Sequence, residues 1–195
     1  NVLFLILTNN ELVSVLQSIE KKLIISLLIL LILLPSKSFG INLDKLNTKA
    51  GVTALMYHRF DEDKYPSTNI KKEIFLEHIN IANSLGIEFI NLKKFEEIMK
   101  SNIDKNYLLL TIDDAFGSFY KNAWPVLKEK KIPFILFVST REVGNFGYMT
   151  WDQIKKIEKY SFVTIGNHSH THEYLIDLNN DEIKSDLEKS IKIFK

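Results

Sequence analysis

The sequence predicts an α/β domain built on a parallel sheet. From Gly51 onward, short apolar runs alternate five times with amphipathic stretches, and no Gly/Ser-rich linker or internal repeat separates them. The run Tyr107-Leu-Leu-Leu-Thr-Ile112 shows no polar alternation, which suits a strand buried on both faces. Two adjacent acids, Asp113 and Asp114, follow it at once, at the strand-end edge where α/β sheets bind ligands.

Each element has its own signal. Val52 to Tyr57 reads as a first strand ending at His58-Arg59, and Pro66 marks a polar turn. Ser67-Thr68-Asn69 offers helix-start residues, and the helix sets Phe75, Ile79, Ala82 and Leu85 on one face before Gly86 stops it. Ile87 to Ile90 is a second strand. Asn91 caps the next helix, whose inner face is Phe95, Ile98 and Met99. After the third strand, at Tyr107, Ser118 to Lys131 reads as helical with Pro125 inside it or at a kink. Phe134 to Val138 is a fourth strand, Gly144 and Gly147 mark a loop, and Thr150-Trp-Asp-Gln153 has capping-box spacing. Phe162 to Gly166 is the fifth strand. A last helix, Asp181 to Lys195, places Ile183, Leu187, Ile191 and Phe194 on an apolar face.

Composition narrows the function. Lys plus Arg number 25 against 24 Asp plus Glu, and the basic residues form no cluster interleaved with aromatics, so nucleic-acid binding is unsupported. With no cysteine, disulfides, thiolate metal sites and cysteine nucleophiles are excluded. Lys21-Lys22, the apolar run Leu23 to Leu34, Pro35 and the small-x-small site Ser38-Phe39-Gly40 read as a signal peptide over 21–40. The apolar run is shorter than the ~20 residues of a spanning helix, which favours the signal peptide over the competing reading, an uncleaved membrane anchor. Residues 1–20, upstream of that signal and lacking methionine, are expected to be non-native. The folded domain is then 41–195, and export to the periplasm, envelope or medium is expected. Five strand–helix units fall short of the roughly 200 residues of a closed (β/α) barrel, and the last helix has no stop signal. The expectation is a barrel incomplete at its C-terminus, with an open doubly wound sheet as the second architecture.

The chemistry sits at two strand ends. Within a strand, Asp113 and Asp114 would point to opposite faces, but at a strand-to-loop turn beside the small residues Ala115 and Gly117 they can converge. His168-Ser-His-Thr-His172 follows the fifth strand, and its outer histidines are spaced to reach one metal ion. With Asp114 they make a two-histidine, one-carboxylate set that leaves coordination positions open, as in catalytic zinc sites. Non-haem Fe(II) oxygenases use the same triad but have no need of Asp113. His170 is expected to face away from the ligands, as an outer-shell or exposed group. His58 ends the first strand on the same edge, where it either serves the site or is a buried hydrogen-bonded histidine. His78 reads as a surface residue.

At these residues the chain resembles the polysaccharide deacetylases of carbohydrate esterase family four. Thr111-Ile-Asp-Asp-Ala115 looks like that family's first motif and His168-Ser-His-Thr-His172 like its second. Leu55-Met-Tyr-His-Arg-Phe60 and Tyr65-Pro-Ser-Thr-Asn69 are similar to the opening of many members. The resemblance implies a distorted (β/α) barrel, with Asp113 as catalytic base and Asp114, His168 and His172 as ligands to a divalent metal, zinc above all. The implied substrate is an amino-sugar polysaccharide such as chitin, peptidoglycan or poly-N-acetylglucosamine. Acetylxylan-type O-deacetylation and a non-catalytic carbohydrate-binding role are the alternatives. Ile112 and Ala115 depart from the family's usual phenylalanine and glycine, and Ala115 matters if its φ is positive. The family's general-acid histidine and later motifs are expected beyond Lys195, so 41–195 alone is expected to be inactive. Arg59 and Arg141 both precede the second motif and cannot replace the family's downstream arginine. If the signal reading holds, N-terminal sequencing of exported protein returns Ile41 as its first residue; an intact 21–40 segment identifies an anchor instead.

Overall fold

The computed structural model describes residues 50–195; the upstream stretch 1–20 and the signal segment 21–40 lie outside these residues. Five strands form one parallel sheet: β1 (Val52–Tyr57), β4 (Glu88–Ile90), β5 (Tyr107–Ile112), β6 (Phe134–Val138) and β7 (Val163–Asn167). A separate two-stranded pair, β2 (Arg59–Phe60) with β3 (Asn69–Ile70), follows β1. Each strand of the main sheet leads into a helix: α1 (Lys72–Ser84), α2 (Leu92–Ile98), α3 (Trp124–Lys130), α4 (Trp151–Glu158) and α5 (Asn180–Phe194). The alternation read from sequence is therefore the alternation of the fold.

β5 is the hub. β1 pairs with it along its whole length, from Val52 opposite Tyr107 to Tyr57 opposite Ile112. β4 and β6 divide its other edge, β4 against Tyr107 to Leu109 and β6 against Thr111 and Ile112. Both faces of β5 are covered, as its unbroken apolar run predicts. Leu110 and Ile112 enter a core with Phe75 and Ile79 of α1, Trp124 and Leu127 of α3, and Ile154 and Ile157 of α4. Tyr107 and Leu109 face a second cluster that includes Ile90, Ile98 of α2 and Ile135. Within the larger core, Phe119 meets Phe134 edge to face at 5.4 Å between ring centroids, and Phe60 meets Phe75 at 5.1 Å. Each such fully buried aromatic is worth roughly 1.5–3 kcal/mol in area removed from water.

Several element limits follow local chemistry. Asn91 accepts from the Lys94 amide, and Thr150 with Gln153 forms the complete capping box. Pro125 falls in the first turn of α3, where its missing N–H costs nothing, and a π-helical turn, Phe119–Ala123, precedes it. Two expectations are corrected. Ser67 to Asn69 does not start α1, because Asn69 is drawn into β3. The helix begins three residues later, with Asp61 across the turn accepting from the Lys72 amide. In α5 the buried positions are Asp186 and Ser190 with Ile183 and Leu187 partly covered, whereas Ile191 is 47% exposed.

Because every strand of the sheet is parallel, the C-terminal ends share one edge. Its registers place His58 beside Asp113, and Val138 pairs with Asn167, next to His168. Gly166 is needed near that edge. A Cβ there would lie 2.5 Å from a ring carbon of Phe137, whose ring in turn stands 6.0 Å from that of His168. Gly166→Ala is expected to lower unfolding free energy by roughly 1–3 kcal/mol, the usual cost of overpacking. Denaturant unfolding measures this, and Phe137→Leu in the same chain should recover part of the loss.

Candidate active site

The strand-end acids converge because the chain leaves β5 in an unusual way. Asp114 (φ 70°) and Ala115 (φ 56°) are consecutive residues in the left-handed region, so the pleat that would separate neighbouring side chains is broken. Asp113 remains tied to β1, its amide donating to the Tyr57 carbonyl at 2.8 Å. Ala115 is fully buried, and its carbonyl accepts from the Met149 amide at 2.8 Å. The position that in the resembling family is usually glycine thus does require positive φ, and alanine adopts it here.

The histidine segment is a tight loop, not a helical turn. Ser169 (φ 65°) and His172 (φ 58°) are also left-handed. The Ser169 amide donates to Asn167 Oδ1 at 2.9 Å and the His172 amide to Ser169 Oγ at 3.1 Å. This geometry brings Nε2 of His168 and Nε2 of His172 to 3.2 Å from each other. Asp114 Oδ1 stands 3.6 Å from the first and 3.2 Å from the second. One donor atom from each of these three residues lies within 4.8 Å of the others. Asp114 Oδ1 is buried and has no hydrogen-bond partner among the described residues. A buried carboxylate oxygen left unpaired and facing two imidazole nitrogens fits a divalent cation, which would satisfy all three at once.

Asp113 is adjacent but differently placed. Its Oδ2 is 3.9 Å from His168 Nε2, and its Oδ1 is buried without a partner. Burial raises its pKa above the ordinary carboxylate value, the nearby imidazoles of His168 and His58 pull it down, and burial wins. His58 is half-buried beside Asp113 and outside the converging set. His170, expected to face away, does so, but it is buried and not exposed: Nδ1 lies 2.8 Å from Thr140 Oγ1. His78 is on the surface, paired through Nδ1 with the Tyr57 hydroxyl at 2.7 Å.

Other residues at the site have no local sequence signal. A cavity of about 280 Å³ beside Asp114 and His172 is walled by Arg141, Glu142 and Tyr148. Tyr148 is held by stacking: its ring lies 4.8 Å from Phe116, and the Arg59 guanidinium sits over Phe116 at 3.5 Å and over Tyr65 at 3.9 Å. Arg59 also pairs with Glu62 at 3.0 Å. Asp186 accepts from the amides of His170 and Thr171, and although burial favours its neutral form, bonds from Thr171 and these amides hold its pKa below the ordinary value.

Comparison with known proteins bears on this geometry. The family model described as polysaccharide deacetylase matches residues 100–195, the span holding both strand-end motifs. Residues 100–195 therefore form a polysaccharide deacetylase domain. A poly-β-1,6-N-acetyl-D-glucosamine N-deacetylase of Staphylococcus aureus (strain MRSA252) is 31% identical over 181 residues, covering 78% of this chain and 62% of that protein. The Bacillus subtilis (strain 168) protein YxkH, provisionally named a polysaccharide deacetylase, is 24% identical over 152 residues, covering 77% and 53%. The chain thus spans little more than half the length of these relatives. Among solved structures, IcaB from Ammonifex degensii superposes with a TM-score of 0.66 at 24% identity, covering 73% of this chain and 67% of that one. Streptococcus pyogenes deacetylase PplD superposes with a TM-score of 0.64 at 20% identity and the same coverage. These two share the (β/α) fold of this polysaccharide deacetylase domain.

Ala115 gives a test of the turn. Glycine fits left-handed φ without steric cost, so Ala115→Gly is expected to change stability by less than about 1 kcal/mol, relief of strain offsetting the lost methyl group. Ala115→Val, β-branched and fully buried, should cost more than about 2 kcal/mol. Chemical denaturation of both variants decides whether this backbone shape constrains the residue.

Proposed function

We propose that this domain removes N-acetyl groups from an exported amino-sugar polysaccharide of the poly-N-acetylglucosamine type. The observation that carries the reading is the convergence of Asp114, His168 and His172 beside Asp113, a second buried carboxylate that the ligand set does not use. The Staphylococcus aureus relative named for poly-β-1,6-N-acetyl-D-glucosamine supports the choice of polymer. A two-histidine, one-carboxylate oxygenase would have no task for Asp113.

Asp114, His168 and His172 would hold the metal, and neutral nitrogen with carboxylate donors suits zinc. When bound, the metal acidifies water and polarises an amide carbonyl. Asp113 takes the proton: its Oδ1 is free of hydrogen bonds, and its raised pKa makes it a better base than an ordinary aspartate. The departing amine needs a proton in return. His58, the residue after Tyr57 at the end of β1 and outside the set Asp114, His168 and His172, is the candidate donor among the described residues. Tyr148, Arg141 and Glu142 give the adjoining cavity the polar walls that a hydroxyl-rich sugar requires. Export, read from residues 21–40, would bring the enzyme to its polymer.

Metal content and acetate release from a poly-N-acetylglucosamine oligomer separate the roles, measured in a protein that carries this domain together with the later motifs the resemblance implies. Asp114→Asn should lose metal affinity and regain part of its activity in excess zinc. Asp113→Asn should keep about one metal per chain while kcat falls by roughly 10²–10⁴, the usual worth of a positioned base, with no rescue by zinc. His58→Asn should likewise keep its metal while kcat falls, with no rescue by zinc. If Asp113→Asn is the variant rescued by metal, base and ligand have been assigned the wrong way round.

A further inference from the structure

We propose that Asp186 is a positioning residue for the metal centre: from α5 it clamps the His168–His172 loop into the shape that brings the two imidazoles together. The proposal rests on the reading of Asp114, His168 and His172 as metal ligands.

Helix α5 breaks the usual rule for an amphipathic helix. It turns a carboxylate and a hydroxyl inward, Asp186 at 8% and Ser190 at 0% exposure, while leaving Ile191 at 47%. A buried carboxylate is costly unless donors surround it, so its placement needs a reason. The donors here all come from the histidine loop. Asp186 Oδ2 accepts from the His170 amide at 2.8 Å; Oδ1 accepts from the Thr171 amide at 2.8 Å and from Thr171 Oγ1 at 2.6 Å. Thus the two residues gripped lie between the two ligand positions. One turn along α5, Ser190 Oγ accepts from Asn167 Nδ2 at 2.8 Å, holding the start of the same segment.

The loop needs an external hold. Ser169 and His172 both occupy left-handed backbone without being glycine, a shape that a free loop would leave. From the opposite side, the end of β6 supplies neutral donors. Ser139 Oγ donates to the His168 carbonyl at 3.0 Å, and the Thr140 and Arg141 amides donate to the carbonyls of Ser169 and His170 at 3.2 and 3.0 Å. Asp186 adds the charged partner on the α5 side, and hydrogen bonds to an ionised acceptor are about twice as strong as neutral ones. The loop is therefore pinned between β6 and α5, with its ligand nitrogens projecting toward Asp114.

Zinc affinity of the full chain, measured by competition with a chromophoric chelator, tests the clamp. Asp186→Asn keeps the side chain's size but sets an amide against two backbone donors. It should bind zinc roughly 10–100-fold more weakly, the loss typical of residues that orient metal ligands. Its far-UV circular dichroism should be unchanged, while hydrogen exchange at the His170 and Thr171 amides becomes faster in the metal-free protein. Thr171→Val removes one of the three bonds and should show a smaller loss of the same kind; it serves if Asp186→Asn does not fold. Asp114→Asn is the ligand control. Affinity lost in Asp114→Asn but kept in Asp186→Asn and Thr171→Val overturns the clamp and leaves the metal reading standing. Affinity equal to wild type in all three, or no zinc binding by the wild type, overturns the metal reading and the clamp with it.

Discussion

Two consecutive left-handed residues at the end of β5 set the geometry on which the site depends. A regular strand would carry Asp113 and Asp114 to opposite faces of the sheet, one into each hydrophobic cluster. Because Asp114 and Ala115 both have positive φ, the two carboxylates meet above the sheet edge instead. The turn is kept in this conformation by tertiary bonds. The Met149 amide holds the Ala115 carbonyl, the Gly117 amide reaches Gly147, and the Tyr57 carbonyl takes the Asp113 amide. Backbone strain of about 1–3 kcal/mol per residue persists only where the surroundings over-determine it, and here the loop Gly144–Met149 and strand β1 do so.

The same logic recurs across the site. Ser169 and His172 repeat the left-handed conformation, and bonds from β6 and α5 restrain that loop as the 144–149 loop restrains the other. Functional groups therefore come from loops, while their precision comes from the elements behind them. This explains the polar inward face of α5. A helix packed only for stability would bury Ile191 before Asp186; this one spends a core position on a carboxylate that orients its neighbours. Burying Asp113 and Asp114 side by side carries a further electrostatic cost, because each disfavours the other's ionised form. A cation between Asp114, His168 and His172 would offset that cost.

The order of residues along the chain already encodes the scaffold and which polar side chains end its strands. Parallel strands buried on both faces must be apolar throughout, so Tyr107–Ile112 and Phe134–Val138 were legible as strands, and Asn91 and Thr150 as caps, because these signals depend only on neighbours in the chain. Asp113, Asp114, His168 and His172 were legible because parallel strands place all their C-terminal ends on one edge. Tertiary structure alone decided what depends on residues distant in sequence. The start of α1 moved because Asn69 pairs with Arg59, and periodicity cannot show that pairing. Asp186 reads as an ordinary surface acid on an amphipathic helix; only packing of α5 against the loop after β7 reveals the amides it accepts. Tyr148 becomes a wall of the cavity only through stacking on Phe116, and His58 stands beside Asp113 only because β1 pairs with β5 in that register. Local patterns encode which face of an element is apolar. They do not encode which neighbour that face will meet, and the site is made of those meetings.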